Sequence, residues 1–205
     1  MKEKMFERKQ ELLDAALAEF SKRSYEQASI NRIIANAGIS KGTFYYHFKD
    51  KADLYLHLIR HTSEQKWTFV RKRMALIPGT DYGGDIFRLL KLQAQWGLEF
   101  AQTCPEAHGF AKMLARERSN SIYGSVQALF DAQSRSALEQ MVDEAVSRGE
   151  IAPVFPKEFV VGTMSVLFGH FDDIVKNEAG TESGEMMEKL DCFISFLKNG
   201  FANKD

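Results

Sequence analysis

Apolar residues recur at three- and four-residue intervals along almost the whole chain, and no stretch reads as a strand. The pattern predicts an all-α protein of about nine helices. The first spans about Lys4 to Arg23, with Leu13, Ala16, Leu17 and Phe20 on one stripe. Ile30, Ile33 and Ile34 start a second behind Ser29, whose hydroxyl is suited to accept from a free N–H of the first turn. Gly38 ends it, where a left-handed residue is needed. Ser40 caps a short third helix, Lys41 to Phe48, with Phe44 and Phe48 four apart on one inward face. A fourth starts at Asp50, passes Trp67 and reaches about Leu76, before a break at Pro78-Gly79. The fifth covers Asp81 to Thr103 and carries Phe87, Leu90, Trp96 and Phe100. Pro105 opens the sixth, with Phe110, Met113 and Leu114. The seventh runs from about Ser121 to Arg148 and closes at Gly149. The last two are Pro156–Lys176 and Gly184–Phe201, separated by the turn Asn177–Ser183.

The short third helix changes the picture most. Opposite Phe44 and Phe48 it presents Lys41, Thr43, Tyr45, Tyr46 and His47, all able to donate hydrogen bonds. Two helices on a tight glycine turn, the second short and rich in donors, describe a helix-turn-helix whose second helix enters a major groove. The segments Ala37-Gly38-Ile39-Ser40, Lys41-Gly42-Thr43 and Tyr45-Tyr46-His47-Phe48, with Lys51 followed by Asp53-Leu54, carry a family likeness. From about Leu12 to Leu58 the chain resembles the TetR-type (TetR/AcrR-like) bacterial transcriptional regulators. Ile34 stands where that family usually has Ala, so the helix contact there is bulkier. Ser24 replaces a frequent Gly before Tyr25. Beyond Leu58 only the lengths and order of the helices agree. The resemblance implies a helix-turn-helix DNA-binding domain at 1–50 and a ligand-binding and dimerisation domain at 51–205.

Groove recognition needs phosphate contacts for affinity and base-edge contacts for sequence. Lys41, Gly42 and Thr43 form the first turn to arrive. Lys41 can donate to guanine O6 or N7, and Gly42 removes a side chain where backbone must come close. The resemblance implies that Tyr45 lies against a base, a thymine methyl being its natural partner, and that Asn31 makes a further base contact. It assigns Ser29, Thr43, Tyr46 and His47 to phosphate. Lys51 opens the fourth helix, whose free N–H groups already favour an anion. Taken without their flanks, Tyr45, Tyr46 and His47 would serve as well to pack the rim of a three-helix head.

Composition narrows the alternatives. The chain has 205 residues, is 44% hydrophobic and carries a net charge of −1, so it is no polybasic coat for nucleic acid. Charge is uneven: residues 1–60 hold 11 Lys/Arg against 8 Asp/Glu, and the remainder 16 against 20. A positive head on a negative body suits a module that meets DNA at one end. Cys104 and Cys192 offer neither a disulfide framework nor a zinc pattern. The charged start MKEKMFERKQELL is unlike a signal peptide, and no stretch approaches about 18 apolar residues; a cytoplasmic protein with no membrane partner is expected. His57 and His61 have a metal-capable spacing without a third ligand in view, and Asp172-Asp173 beside His170 reads as a solvated helix face. No metal site and no cofactor are expected. Without a phosphate loop after a strand, a GxSxG or an HExxH, there is no enzyme motif.

The last two helices suggest assembly. Val160, Met164, Leu167, Phe168, Phe171 and Ile174 mark one stripe, and Phe159, Val161 and Val166 add apolar surface off it. The final helix repeats Met186, Leu190, Phe193, Ile194, Leu197 and Phe201. A helix apolar on more than one face needs covering twice. A homodimer through Met164, Phe168, Phe171, Leu190, Phe193, Ile194 and Leu197 is expected, with closure of the monomer's own core as the alternative. The resemblance further implies an effector cavity among the middle helices, and the candidates are Trp67, Trp96, Phe100, Phe110, Met113, Tyr123 and Phe168. The expected function is a repressor bound to a double-stranded inverted-repeat operator and released by a small apolar or aromatic ligand. The alternative is a DNA-bound interaction protein whose body meets a protein partner.

Overall fold

The computed structural model describes residues 8–77, 85–117, 121–175 and 183–202. Ten α-helices lie among them: α1 Lys9–Phe20, α2 Ile30–Ala37, α3 Lys41–His47, α4 Lys51–Met74, α5 Ile86–Thr103, α6 Pro105–Arg116, α7 Tyr123–Ser147, α8 Lys157–Gly169, α9 Phe171–Ile174 and α10 Ser183–Phe201. The described residues contain no strand, only an isolated bridge between Ile151 and Ala202. The all-α expectation holds. The helix start at Lys4, the Pro78-Gly79 break, the helix start at Asp81, the helix end at Lys176 and the turn 177–182 lie outside the described residues.

One expected helix divides. Instead of running unbroken from Pro156, the chain stops α8 at Gly169 and turns at His170 before the four-residue α9. His170 leaves helical geometry at φ −114°, and its Nδ1 donates to the Val166 carbonyl at 2.9 Å.

Helix ends follow the local chemistry of the sequence. Gly38 (φ 62°) and Gly149 (φ 73°) are left-handed and close α2 and α7. In each, the N–H after the glycine reaches back five residues, Ile39 to Ile34 at 3.2 Å and Glu150 to Ala145 at 2.9 Å. This is the pairing that satisfies the last carbonyls of a helix ended by glycine. Asp50 accepts from the Asp53 N–H at 2.8 Å while Asp53 accepts from the Lys49 N–H at 3.0 Å. The exchange starts α4 at a defined residue.

The helices form two compact units, Met1–Arg71 with Leu98–Ala128 and Lys72–Gly97 with Leu129–Asp205. This grouping is a different cut from the expected division at residue 50. In the first unit Leu12, Leu13, Ala16 and Phe20 of α1 meet Ile33 and Ile34, Phe44 and Phe48, and Leu54, Tyr55, Leu58 and Ile59, all buried. Leu17 is only half-buried; Leu12 and Glu19 take inward places beside the expected stripe. Helix α6 belongs to this unit. Its Phe110 ring lies 5.2 Å from Tyr55 and 6.2 Å from Phe20. A Cβ on Gly109 would stand 3.1 Å from Ser21 Cβ, so glycine lets α6 approach the end of α1 closely.

The second unit is built on burial. Ile86, Phe87, Leu90, Val142, Ala145, Ile151, Val160, Val161, Met164, Leu190, Phe193, Ile194, Leu197 and Phe201 form its core. Ion pairs such as Lys91–Asp191 and Lys157–Asp143, each 2.6 Å, sit on its surface. No helix among the described residues is long and apolar enough to cross a membrane.

Candidate nucleic-acid interface

Helix α3 is short, so its ends and two aromatic anchors set its position. Ser40 Oγ accepts from the Thr43 N–H at 3.0 Å and shares a 2.9 Å hydrogen bond with Thr43 Oγ1. Such a cap is worth about 1 kcal/mol. Phe44 and Phe48 are buried beneath it. The opposite face leaves Lys41, Gly42, Tyr45 and Tyr46 exposed, with Thr43 and His47 half-buried. Tyr45 is 58% and Tyr46 64% exposed, high values for rings on an anchored helix. Each ring rests edge-on against a neighbour, Tyr45 on Phe44 and Tyr46 on His47, both at 5.1 Å between centroids.

Gly42 has no internal need to be glycine. An added Cβ would meet Ser40 Oγ at 3.6 Å, an ordinary contact, and its φ is not left-handed. Asn31 is exposed on α2.

Two residues differ from expectation. Ser29 sits at the N-cap of α2 in extended conformation, yet its side chain makes no capping hydrogen bond. Its N–H donates to Glu19 Oε1 at 3.1 Å, which ties the helix start from another direction. Lys51 is more than an outward clamp. Its ammonium donates to the carbonyls of Ala28 (3.1 Å) and Glu26 (3.3 Å) and lies 4.6 Å from the centre of the Tyr25 ring. Lys51 fastens α4 to the segment leading into α2.

Glu19 organises this end of the head, and the sequence reading passed over it. Besides Ser29 it receives Arg32 Nε at 2.8 Å and Arg23 Nη1 at 2.8 Å, with only 3% of its side chain exposed. Burial raises its pKa. The Arg32 hydrogen bond, the Ser29 N–H and the charges of Arg23 and Arg32 outweigh that and hold the carboxyl below its ordinary value of 4.5. The available signal was a carboxylate in line with Leu12, Ala16 and Phe20. Arg8 adds a further tie by donating to the Gly38 carbonyl at the turn between α2 and α3.

Of the expected interface residues, Met164, Leu190, Phe193, Ile194 and Leu197 are at most 6% exposed and lie in the core of their own unit. Phe168 and Phe171 are half-buried, their rings 5.3 and 5.0 Å from Phe193. On the same helices Phe159 (52%), Val166 (61%) and Phe196 (65%) are the exposed apolar groups. Phe196 falls off the regular stripe of α10, which was its sequence signal.

Among the ligand candidates, Phe110 is buried and its ring packs against Phe20 and Tyr55. Phe100 is buried and touches Phe69 at 5.8 Å. Trp67 is exposed; Trp96, Met113, Tyr123 and Phe168 are half-buried, with Trp96 and Phe168 in the second unit and the others in the first. His57 and His61 stack at 6.3 Å, and no group of three His, Cys, Asp or Glu that could hold a metal occurs among the described residues.

Residues 12–58 match the family described as "Bacterial regulatory proteins, tetR family". The HTH-type transcriptional regulator AcrR of Shigella flexneri is 41% identical over 54 residues, 26% of this chain and 25% of that protein. The HTH-type transcriptional repressor AcnR of Corynebacterium diphtheriae is 40% identical over 53 residues, 26% of this chain and 28% of that one. The matched segment therefore spans about a quarter of either relative. A TetR family transcriptional regulator from Chloroflexus aurantiacus J-10-FL shares the fold over 98% of both chains, with a TM-score of 0.67 at 24% identity.

Proposed function

We propose that the chain, whose residues 12–58 match the tetR family of bacterial regulatory proteins, is a member of that family and a sequence-specific repressor acting as a homodimer on an inverted-repeat operator. One observation carries the reading. Helix α3 is locked from beneath by Phe44 and Phe48, and it exposes Lys41, Gly42, Tyr45 and Tyr46 outward. Two rings held mostly in water beside a lysine and an unforced glycine gain contacts only when a partner surface arrives. A major groove offers that surface, with thymine methyls for Tyr45 and guanine acceptors for Lys41. Asn31 adds a base contact from α2. Ser29, whose hydroxyl is not used as a cap, Thr43, Tyr46, His47 and Lys51 take phosphate.

A single seven-residue helix reads few bases, which argues for two copies on two half-sites. The second copy seats on Phe159, Val166 and Phe196, apolar groups that the protein's own core leaves uncovered. Release by a small apolar or aromatic ligand completes the reading, supported by the open ring and thioether surface at Trp67, Tyr123 and Met113. A coupling of about 1–3 kcal/mol would loosen the operator roughly 5–150-fold.

Selection of duplexes from random sequence tests the proposal. The expected product is a two-fold symmetric site whose affinity falls steeply with salt, as phosphate neutralisation requires. Failure to enrich any symmetric site at low salt overturns it. Hydrophobic compounds that raise the melting temperature, tested for operator release, examine the effector.

A further inference from the structure

Glu117 is 6% exposed and occupies the C-terminal cap of α6. The last turn of a helix carries the negative end of the dipole, and burial strips water from a charge. Both oppose a carboxylate here. Its described hydrogen bonds come from neutral donors: the Tyr55 hydroxyl at 2.6 Å and the backbone N–H of Tyr25. Such an arrangement adds less stability than apolar packing of the same volume would. What it supplies is direction.

The direction is toward the DNA-reading helices. Tyr25 lies on the link between α1 and α2, and its ring meets that of Tyr55 edge-on at 5.0 Å. Lys51 covers the other side of the Tyr25 ring and holds the Glu26 and Ala28 carbonyls just before Ser29. A continuous set of contacts thus leads from the end of α6 to the start of α2. Phe20 packs on Tyr55 and Phe110, and Lys51 holds two carbonyls, so the head is already seated on α4 and α6. Glu117 adds directional bonds from α6 to the α1–α2 link, and these fix an angle that apolar contacts alone leave softer.

Resting on the repressor reading, we propose that Glu117 is a positioning residue for DNA recognition, whose carboxylate fixes the angle of the head so that a dimer accepts one half-site spacing. Moving a half-site by one base pair shifts it by about 3.4 Å and rotates it by about 35°. Rigid heads reject that change, and pivoting heads follow it.

The test uses full-length protein and three duplexes: the selected site, and the same half-sites one base pair closer and one farther. Glu117→Gln removes the charge while its amide can still pair with the Tyr25 N–H and the Tyr55 hydroxyl, and Tyr55→Phe removes the hydroxyl while keeping the ring. Either variant should lower the preference for the selected spacing by roughly tenfold, the scale of one charge-assisted hydrogen bond. Affinity for a duplex with a single half-site should be unchanged. A purely structural defect lowers the active fraction and leaves the spacing ratio alone. If Glu117→Gln fails to fold, Tyr55→Phe decides. Wild-type spacing ratios in the folded variants overturn the inference while the repressor reading stands. A wild-type protein that selects no symmetric site overturns both.

Discussion

The two compact units are held together by different kinds of force. In the unit carrying the helix-turn-helix, buried charged groups grip backbone: Glu19 takes the Ser29 N–H, Glu117 takes the Tyr25 N–H, and Lys51 takes two carbonyls. In the other, Phe193, Leu197, Val160 and Met164 interlock inside, the ion pairs Lys91–Asp191 and Lys157–Asp143 stay on the surface, and the half-buried Glu150 takes the Ile86 N–H. Directional bonds fix angles, and a surface that must match a groove needs fixed angles. Apolar packing fills volume and tolerates exchange at constant size. The likeness to AcrR and AcnR spans about a quarter of the chain, whereas the likeness in fold spans 98% of it at 24% identity.

The largest expected effect puts this contrast at risk. Glu19→Gln removes the charge that Arg32, Arg23 and the Ser29 N–H bond to and should cost about 1.5–3 kcal/mol, the scale of a hydrogen bond to a charged group, since both guanidiniums stay partly in water. Leu197→Met, equally buried, should cost less than about 1.5 kcal/mol. Urea unfolding of both variants decides, and equal losses would remove the distinction.

Next is assembly. Phe196→Glu places a charge on an exposed position, so the monomer should remain folded while the dimer dissociates, at a cost of several kcal/mol in association. Phe193→Glu, in the core, should unfold its unit instead. Light scattering and circular dichroism separate the outcomes. A folded Phe196→Glu dimer moves the interface elsewhere.

The smallest effect concerns acid. Burial first, then the positive charges of Lys9, His61 and Arg60, hold His57 below its ordinary 6.5, with Asp53 opposing. The folded state therefore binds this proton less readily than the unfolded chain. The contribution is intact above pH 6.5 and lost as pH falls below it, with a slope of at most about 1.4 kcal/mol per pH unit. Melting temperatures between pH 7.5 and 5.5 should fall less in His57→Gln than in wild type. Parallel curves would show that the ring edge-on to Phe48 is indifferent to charge.

What could be read from the sequence was local. Gly38, Gly149, Pro105 and the Ser40 cap each act within one turn, and α3 with its inward Phe44 and Phe48 followed from them. The gripping residues were hidden because their partners are remote in sequence, 13 positions for Glu19 and Arg32 and 92 for Glu117 and Tyr25. The dimer candidates were ambiguous for another reason. A regular apolar stripe looks the same whether a helix faces its own core or a second copy, and only the off-stripe Phe159, Val166 and Phe196 distinguish the two. Lys51 and Phe110 were recognised as important residues, but their internal contacts could not be seen without the fold.

The central claim, that the outward face of α3 reads base sequence, is tested most directly by one ratio. It is the affinity for the selected operator over that for random duplex at fixed salt, measured for wild type and Tyr45→Ala. The exposed ring contributes little to the head's own packing, so the variant should fold normally. Its ratio should shrink by the worth of a lost base contact, about 1–3 kcal/mol. A wild-type ratio retained by Tyr45→Ala would contradict the account.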